Sequence, residues 1–506
     1  MERLIVVSNR VSVPTRAGAR AGGLEVALQA VFKTRPGIWF GWSGRVVRPG
    51  AIETRTTDVG NEQYILTDLT EEDQKEYYDG FANRVLWPIL HYRLDLAEYS
   101  RRDLTGYLRV NAHFADELHK IIRPEDVIWV HDYHLIPLAN ALRQRGHKNK
   151  IGFFLHTPIP PSEVLTALPN HDRLLRSLCD YDLVGFQTEV DSMNFARYLM
   201  TEHKLASQDL RVFLTPDRAV TLGVFPVGVA VDELRQWAER GARSSFVRRV
   251  TESLGGRAMI IGVDRLDYSK GIVPRMEAFE SFLRANQEWR GGVTYVQITP
   301  RSRQKVREYI ALEQQVSATA GRVNGSLGDV DWTPIRYVNQ SYPRQILAGL
   351  YRCARVGLVT PLRDGMNLVA KEFIASQNPD DPGVLILSRF AGAAKECAGA
   401  LLINPYDTET MAGAIATALT MSPEERRERH QLSMAALQAN DISGWGNRFL
   451  KALINGESLA HTLPKSPMIQ PVSRSEDSPS NWQGTDTVVS GDERRQLPRS
   501  ARTFPS

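Results

Sequence analysis

Short apolar runs alternate with longer amphipathic stretches along most of the 506-residue chain. Residues 4–7, 38–41, 127–130, 151–155 and 183–186 read as strands in the first half, and 259–263, 293–298, 356–359 and 384–387 in the second. Helical periodicity fills the spaces between them at 24–33, 102–122, 191–202, 273–289, 303–316, 344–352 and 409–419. Strands that are apolar throughout, each followed by a helix, predict parallel sheets covered on both faces. Two such series, with a change near 228–233, predict an α/β protein of two Rossmann-like domains, 1–230 and 231–440. Ligands then bind in the crevice at the carboxyl ends of the strands. From 457 to 506 the composition shifts to Ser, Pro, Gln and mixed charge, which predicts a disordered tail.

Hydrophobic content of 42% and charged content of 24% are those of a soluble globular protein, with length enough for two cores. A formal charge of +4 is small for this size and argues against nucleic acid as a partner. Cys179, Cys353 and Cys397 are far apart, without the spacing of a disulfide framework or a zinc site. No apolar run approaches the ~20 residues that span a bilayer. The apolar start at 4–7 turns polar too soon for a signal peptide, so the reading is cytoplasmic, with no membrane partner.

Candidate chemistry falls just after the predicted strands. At 360–372 an apolar strand end passes through Asp364, Gly365 and Asn367 into a helix from Leu368. A helix N-terminus favours a diphosphate, Asp364 can accept from sugar hydroxyls, and Glu372 can reach a ribose. In Asp264-Arg265-Leu266-Asp267-Tyr268-Ser269-Lys270-Gly271, Arg265 and Lys270 bracket a turn into the next helix. Cations there suit a leaving diphosphate, and Arg301 and Arg303 add charge nearby. Arg10 offers forked donors for a phosphate, and Gly22 and Gly23 open a helix with room for close approach. Trp39, Tyr78 and Trp87 suit the apolar face of a sugar ring, with core packing as the alternative. Asp132 and His156 each follow a strand, where one can orient an acceptor hydroxyl and the other can donate to a sugar. With His131 and His134 they lack a further ligand at metal spacing. Asp180-Tyr181-Asp182 and Asp329-Val330-Asp331 fit the Asp-x-Asp pattern of metal-dependent transferases, but a pattern so short is expected by chance.

The set SNR, AGG, WFGWSG, NRVLWP, HDYHL, RLDYSKG and TPLRDGMNLVAKE, in this order, resembles glycosyltransferase family 20, the trehalose-6-phosphate synthases, from about residue 4 to residue 453. The resemblance implies a GT-B fold whose last helix, 441–456, crosses back to the first domain. It implies retaining transfer of glucose from UDP-glucose to glucose 6-phosphate, without metal or cofactor, in a homo-oligomer (dimer or tetramer). By motif position the acceptor site is Arg10, Trp39, Tyr78, Trp87, Asp132 and Arg303. The donor site is Gly22, Gly23, His156, Arg265, Lys270, Tyr342, Asp364, Gly365, Met366, Asn367, Leu368, Val369, Ala370, Lys371 and Glu372. Arg265, Lys270, Asp132, His156 and Asp364 are the residues implied in catalysis. Tyr342 stands where the family has Phe, and 300–305 lacks the family's Gly-Asp.

Overall fold

A computed structural model describes residues 3–11, 13, 28, 31–32, 36–301 and 307–456, all within one compact unit. Gly22, Gly23, Arg303, the tail from 457 and most of the predicted helix 24–33 lie outside the described residues.

The first sheet has nine strands: β1 (Leu4–Arg10), β2 (Gly37–Val47), β3 (Thr54–Val59), β4 (Glu62–Thr70), β5 (Val127–His131), β6 (Lys150–Phe154), β7 (Leu183–Phe186), β8 (Val212–Leu214) and β9 (Ala219–Val224). Their order is β3-β4-β2-β1-β5-β6-β7-β9-β8, parallel except for the antiparallel edges β3 and β8. The second sheet is parallel, ordered β12-β11-β10-β13-β14-β15, from β10 (Ala258–Val263), β11 (Val293–Ile298), β12 (Ile335–Val338), β13 (Val356–Val359), β14 (Val384–Ser388) and β15 (Leu401–Ile403). Central strands such as β5, β7, β11 and β13 are buried end to end, as their unbroken apolar runs demand.

In both sheets the winding reverses direction. Strand β1 lies between β2 and β5, and β10 lies between β11 and β13. The loops leaving neighbouring strands at a reversal part to opposite faces and open a crevice there. Arg10 and Asp132 sit at the first reversal, and the segments beginning at Asp264 and Thr360 at the second.

The chain crosses between the sheets beside itself. A Cβ on Gly228 would meet the Asn440 carbonyl oxygen at 2.2 Å, so the outgoing and returning segments touch backbone to backbone. After Asn440 the helix Ile442–Asn455 packs on the first sheet, where Trp445 Nε1 donates to the Phe225 carbonyl at 3.0 Å and Phe449 fills the space over Gly152 and Gly185. Among the described residues no helix is long and apolar enough to cross a membrane.

Candidate active site

On the first sheet, Arg10 extends from the end of β1 with its guanidinium 5.9 Å from the centroid of the Trp42 ring. Gly44, at φ +82°, leaves room for it, since a Cβ there would meet Arg10 Nε at 2.8 Å. Trp42 packs on Tyr78 at 5.8 Å between centroids, and Tyr78 stacks on His134 at 5.8 Å. Tyr78 is carried by Gln74–Leu86, a wide-turn π-helix of the kind often found at functional sites. Trp39 is elsewhere: it is 3% exposed, donates from Nε1 to Ser8 Oγ at 2.9 Å, and packs between Phe32 and Tyr64. Side chains alternate along a strand, so positions 39 and 42 face opposite sides. Of the two, both buried, Trp42 is the one beside Arg10 and Tyr78.

Asp132 leaves β5 at φ 76°, a conformation uncommon outside glycine, and its Oδ1 accepts the His156 backbone N–H at 3.2 Å. The His131 and His156 rings stack at 5.4 Å, with Nδ1 of the first 3.1 Å from Nε2 of the second. Burial pushes the His156 imidazole down to about 3, so it is neutral at pH 7.

Across the crevice, Lys270 Nζ donates to Asp364 Oδ2 at 2.5 Å, and Asn367 Nδ2 donates to the same oxygen at 3.0 Å. Burial raises the Asp364 carboxyl, but the Lys270 charge and hydrogen bond outweigh it and hold the group below the ordinary carboxylate range. Asn367 takes φ 74° and caps the helix Leu368–Ser376, its Oδ1 accepting from Ala370 N at 3.3 Å. The two loops are locked together by Leu362 N donating to Ser269 O at 2.7 Å, and Gly271, at φ +62°, lies against the Thr360 carbonyl.

The halves meet at the site. Arg265, exposed, lies over Trp87 with its guanidinium 5.8 Å from the ring centroid, and Trp87 Nε1 donates to Asp267 Oδ1 at 3.4 Å. A Cβ on Gly365 would come within 2.1 Å of the His156 carbonyl oxygen, so only glycine lets the donor-side loop reach the first sheet so closely. His91 packs on Trp87 at 4.0 Å and donates from Nδ1 to the Trp87 carbonyl at 2.8 Å, a direction fixed because a carbonyl only accepts. Burial takes this imidazole down to about 4.

Five consecutive helical residues cannot share one face, and the run Leu368–Glu372 divides accordingly. Leu368 and Glu372, one turn apart, line a recess with Arg344, Glu233, Leu234 and Trp237. Burial raises the Glu372 carboxyl, opposed by Arg344 at 3.6 Å. Tyr342, packed on Phe246 at 5.3 Å, lies two residues before Arg344. Met366 and Ala370 are core residues. Lys371, 1% exposed, points away from the crevice: Nζ donates to Glu396 Oε2 at 2.5 Å and to the Val227 carbonyl at 2.7 Å. At Met366, Ala370 and Lys371, whose side chains are buried, the backbone is what remains to face the crevice.

Arg301 is held at the surface by Glu313 at 2.8 Å. Asp180-Tyr181-Asp182 precedes β7 and Asp329-Val330-Asp331 precedes β12, so both Asp-x-Asp patterns lie at the amino ends of strands, away from the crevice. Sequence reasoning missed Trp42, His91, Asp267 and Arg344. Trp42 and Asp267 lie inside the motifs WFGWSG and RLDYSKG, and strand parity is the available signal for Trp42.

The family model for glycosyltransferase family 20 matches residues 2–455. A trehalose-6-phosphate synthase of Sinorhizobium fredii is 54% identical over 461 residues, 90% of this chain and 98% of the relative. An α,α-trehalose-phosphate synthase (UDP-forming) of Burkholderia xenovorans, solved in complex with glucose-6-phosphate, superposes with a TM-score of 0.87 at 46% identity, covering 89% of this chain and 99% of that one. The E. coli protein bound with UDP-2-fluoro glucose gives a TM-score of 0.86 at 44% identity, with coverage of 89% and 99%.

Proposed function

The chain belongs to glycosyltransferase family 20, and we propose that it transfers glucose from UDP-glucose to glucose 6-phosphate with retention, forming α,α-trehalose 6-phosphate and UDP. One observation carries this reading: two unlike clusters face each other where the sheets' carboxyl ends meet. On one side Arg10 stands beside the faces of Trp42 and Tyr78, a setting for a phosphorylated sugar. On the other a capped helix N-terminus stands beside the Lys270–Asp364 pair and Arg265, a setting for a nucleoside diphosphate. The recess between Arg344, Trp237 and Glu372 suits the nucleoside end, with the Glu372 carboxylate toward a ribose.

Retention follows from attack on the face that the nucleotide leaves. The bond from the donor C1 to the β-phosphate oxygen breaks while the acceptor hydroxyl oxygen bonds to C1. The hydroxyl proton passes to the departing phosphate oxygen. The carboxylates of the site are already engaged, Asp364 by Lys270 and Asn367, Asp132 by His156 N, Asp267 by Ser269 and Trp87 and Glu372 by Arg344, which favours this route over a carboxylate nucleophile. The chain's part is to orient both sugars and to offset the charge growing on the diphosphate through Arg265 and Lys270. Neutral His156 serves as a hydrogen-bonding group toward the donor sugar.

Supplying several nucleotide-glucose donors with glucose 6-phosphate or glycerol 3-phosphate, and identifying the product by mass and NMR, tests the assignment. The expected product is the phosphorylated α,α-linked disaccharide from UDP-glucose; a product with another acceptor only would overturn it. Lys270→Ala is expected to lower kcat by about a hundred- to a thousandfold. The proposal extends to a cytoplasmic homo-oligomer, dimer or tetramer, which light scattering after size exclusion measures.

A further inference from the structure

Arg275 is 0% exposed, in the first turn of the helix Ile272–Ala285, and its guanidinium reaches Tyr295 inside β11 and four groups at the floor of the donor side. Nε donates to Thr360 Oγ1 at 2.8 Å, just past the end of β13. Nη1 donates to Asp264 Oδ2 at 2.7 Å, just past the end of β10, and to Gln297 Oε1 at 3.2 Å, near the end of β11. Nη2 donates to the carbonyl oxygen of Lys270 at 3.0 Å. One rigid fork therefore joins three adjacent strands at their carboxyl ends to the backbone of the residue whose Nζ reaches Asp364. The sheet makes space for it: a Cβ on Gly262, next to the carboxyl end of β10, would meet Arg275 Nη1 at 2.7 Å and Gln297 Oε1 at 2.6 Å. A strand glycine of this kind marks a close approach rather than a packing need.

A buried ion pair adds little to stability over an apolar pair of similar volume, because both charges lose their water. Its value here lies in geometry: a planar donor fork sets the relative positions of the groups it touches in a way that a flexible ammonium cannot.

We infer that Arg275 is a positioning residue for the transfer, holding the Lys270 segment and the Thr360–Asp364 segment in register so that Lys270 meets the departing diphosphate. The inference rests on the donor assignment made above. Arg275→Lys keeps the charge but not the fork. It is expected to lower kcat by about ten- to a hundredfold, the effect of displacing a reacting group by about an ångström. The KM for glucose 6-phosphate should stay within about twofold of the parent, because Arg10, Trp42 and Tyr78 lie on the other sheet. Thermal unfolding followed by circular dichroism establishes that the variant is folded. Should Arg275→Lys not fold, Thr360→Val removes only the hydroxyl that receives Nε, and kcat is expected to fall severalfold with the acceptor KM again unchanged. A folded variant with parental kcat overturns the inference, and so does a loss confined to melting temperature. The parent runs in the same assay: absence of the disaccharide phosphate from the parent removes the donor assignment itself, whereas a working parent beside an unimpaired variant removes only the role of Arg275.

Discussion

Trp39 and Trp42, both buried, put their rings on opposite faces of a single strand. The first is wedged among Phe32, Tyr64 and Ser8 with its N–H satisfied; the second lies between Arg10 and Tyr78. Trp42→Ala is therefore expected to raise the KM for the phosphorylated acceptor by about tenfold, the scale of one lost aromatic contact, with a smaller effect on kcat. Trp39→Ala should cost about 3–5 kcal/mol of stability through the cavity it leaves, while the folded fraction keeps its acceptor KM. Initial rates at varied glucose 6-phosphate, beside denaturant titrations, separate the two. An acceptor KM that responds to Trp39 and ignores Trp42 would reverse the assignment. Residue types and linear motifs were enough to single out Arg265, Lys270 and Asp364, because their chemistry is written in one short segment each. Choosing between two tryptophans three positions apart required the strand's facing, which WFGWSG does not reveal by composition.

At the scale of elements, the central strands were legible because burial on both faces leaves an unbroken apolar run, as in β5, β7 and β13. The edges were not. Strand β3 is Thr-Arg-Thr-Thr-Asp-Val and largely exposed, so it carries the polar signature of a loop. Short β8 and β15 offer three residues each. The start of the helix Leu368–Ser376 was legible, but its inward face was not, and there the Lys371 side chain is buried in an ion pair. Its ammonium joins Glu396, which also accepts from Asn440 Nδ2 at 2.6 Å, while Asn440 Nδ2 donates to the Pro226 carbonyl at 3.0 Å. Both crossings between the sheets are thus tied to the helix that begins at the donor loop. Lys371→Met leaves the Glu396 carboxylate buried without its cation and is expected to cost about 3–5 kcal/mol. Lys371→Met combined with Glu396→Leu should recover much of that loss, since the uncompensated charge is gone. Chemical denaturation of the single and double variants measures the difference; a double variant no more stable than the single one would show that the charge is not the source.

For the whole molecule, the imidazoles buried around the crevice set how the fold responds to acid. Burial lowers His91 to about 4 and His156 to about 3, and holds His131 well below its ordinary value, with the neighbouring His156 adding to the effect. Each takes up a proton near 6.5 once unfolded. Between about pH 6.5 and 4 the unfolded chain therefore binds more protons than the native one, and stability falls as the pH drops through that window. Asp191 acts in the opposite sense: burial raises its carboxyl to about 6, so the native state holds a proton there that the unfolded chain has released. Burial lowers His113, His147, His203 and His430 as well and raises the Asp103, Asp264 and Glu372 carboxyls, so the imidazoles outnumber the opposing carboxyls and leave a net proton uptake on unfolding. Melting temperature is thus expected to fall steadily from pH 7 to pH 5, and His91→Gln to flatten the slope by about one proton. A melting temperature independent of pH over this range would contradict the burial argument. Because His91 and His156 stay neutral in the native state throughout, neither imidazole should add a step near 6.5 to turnover per folded molecule at saturating acceptor. Loss of activity on acidification then follows the loss of folded protein, and measuring rate and ellipticity on the same samples distinguishes this from titration of a catalytic histidine.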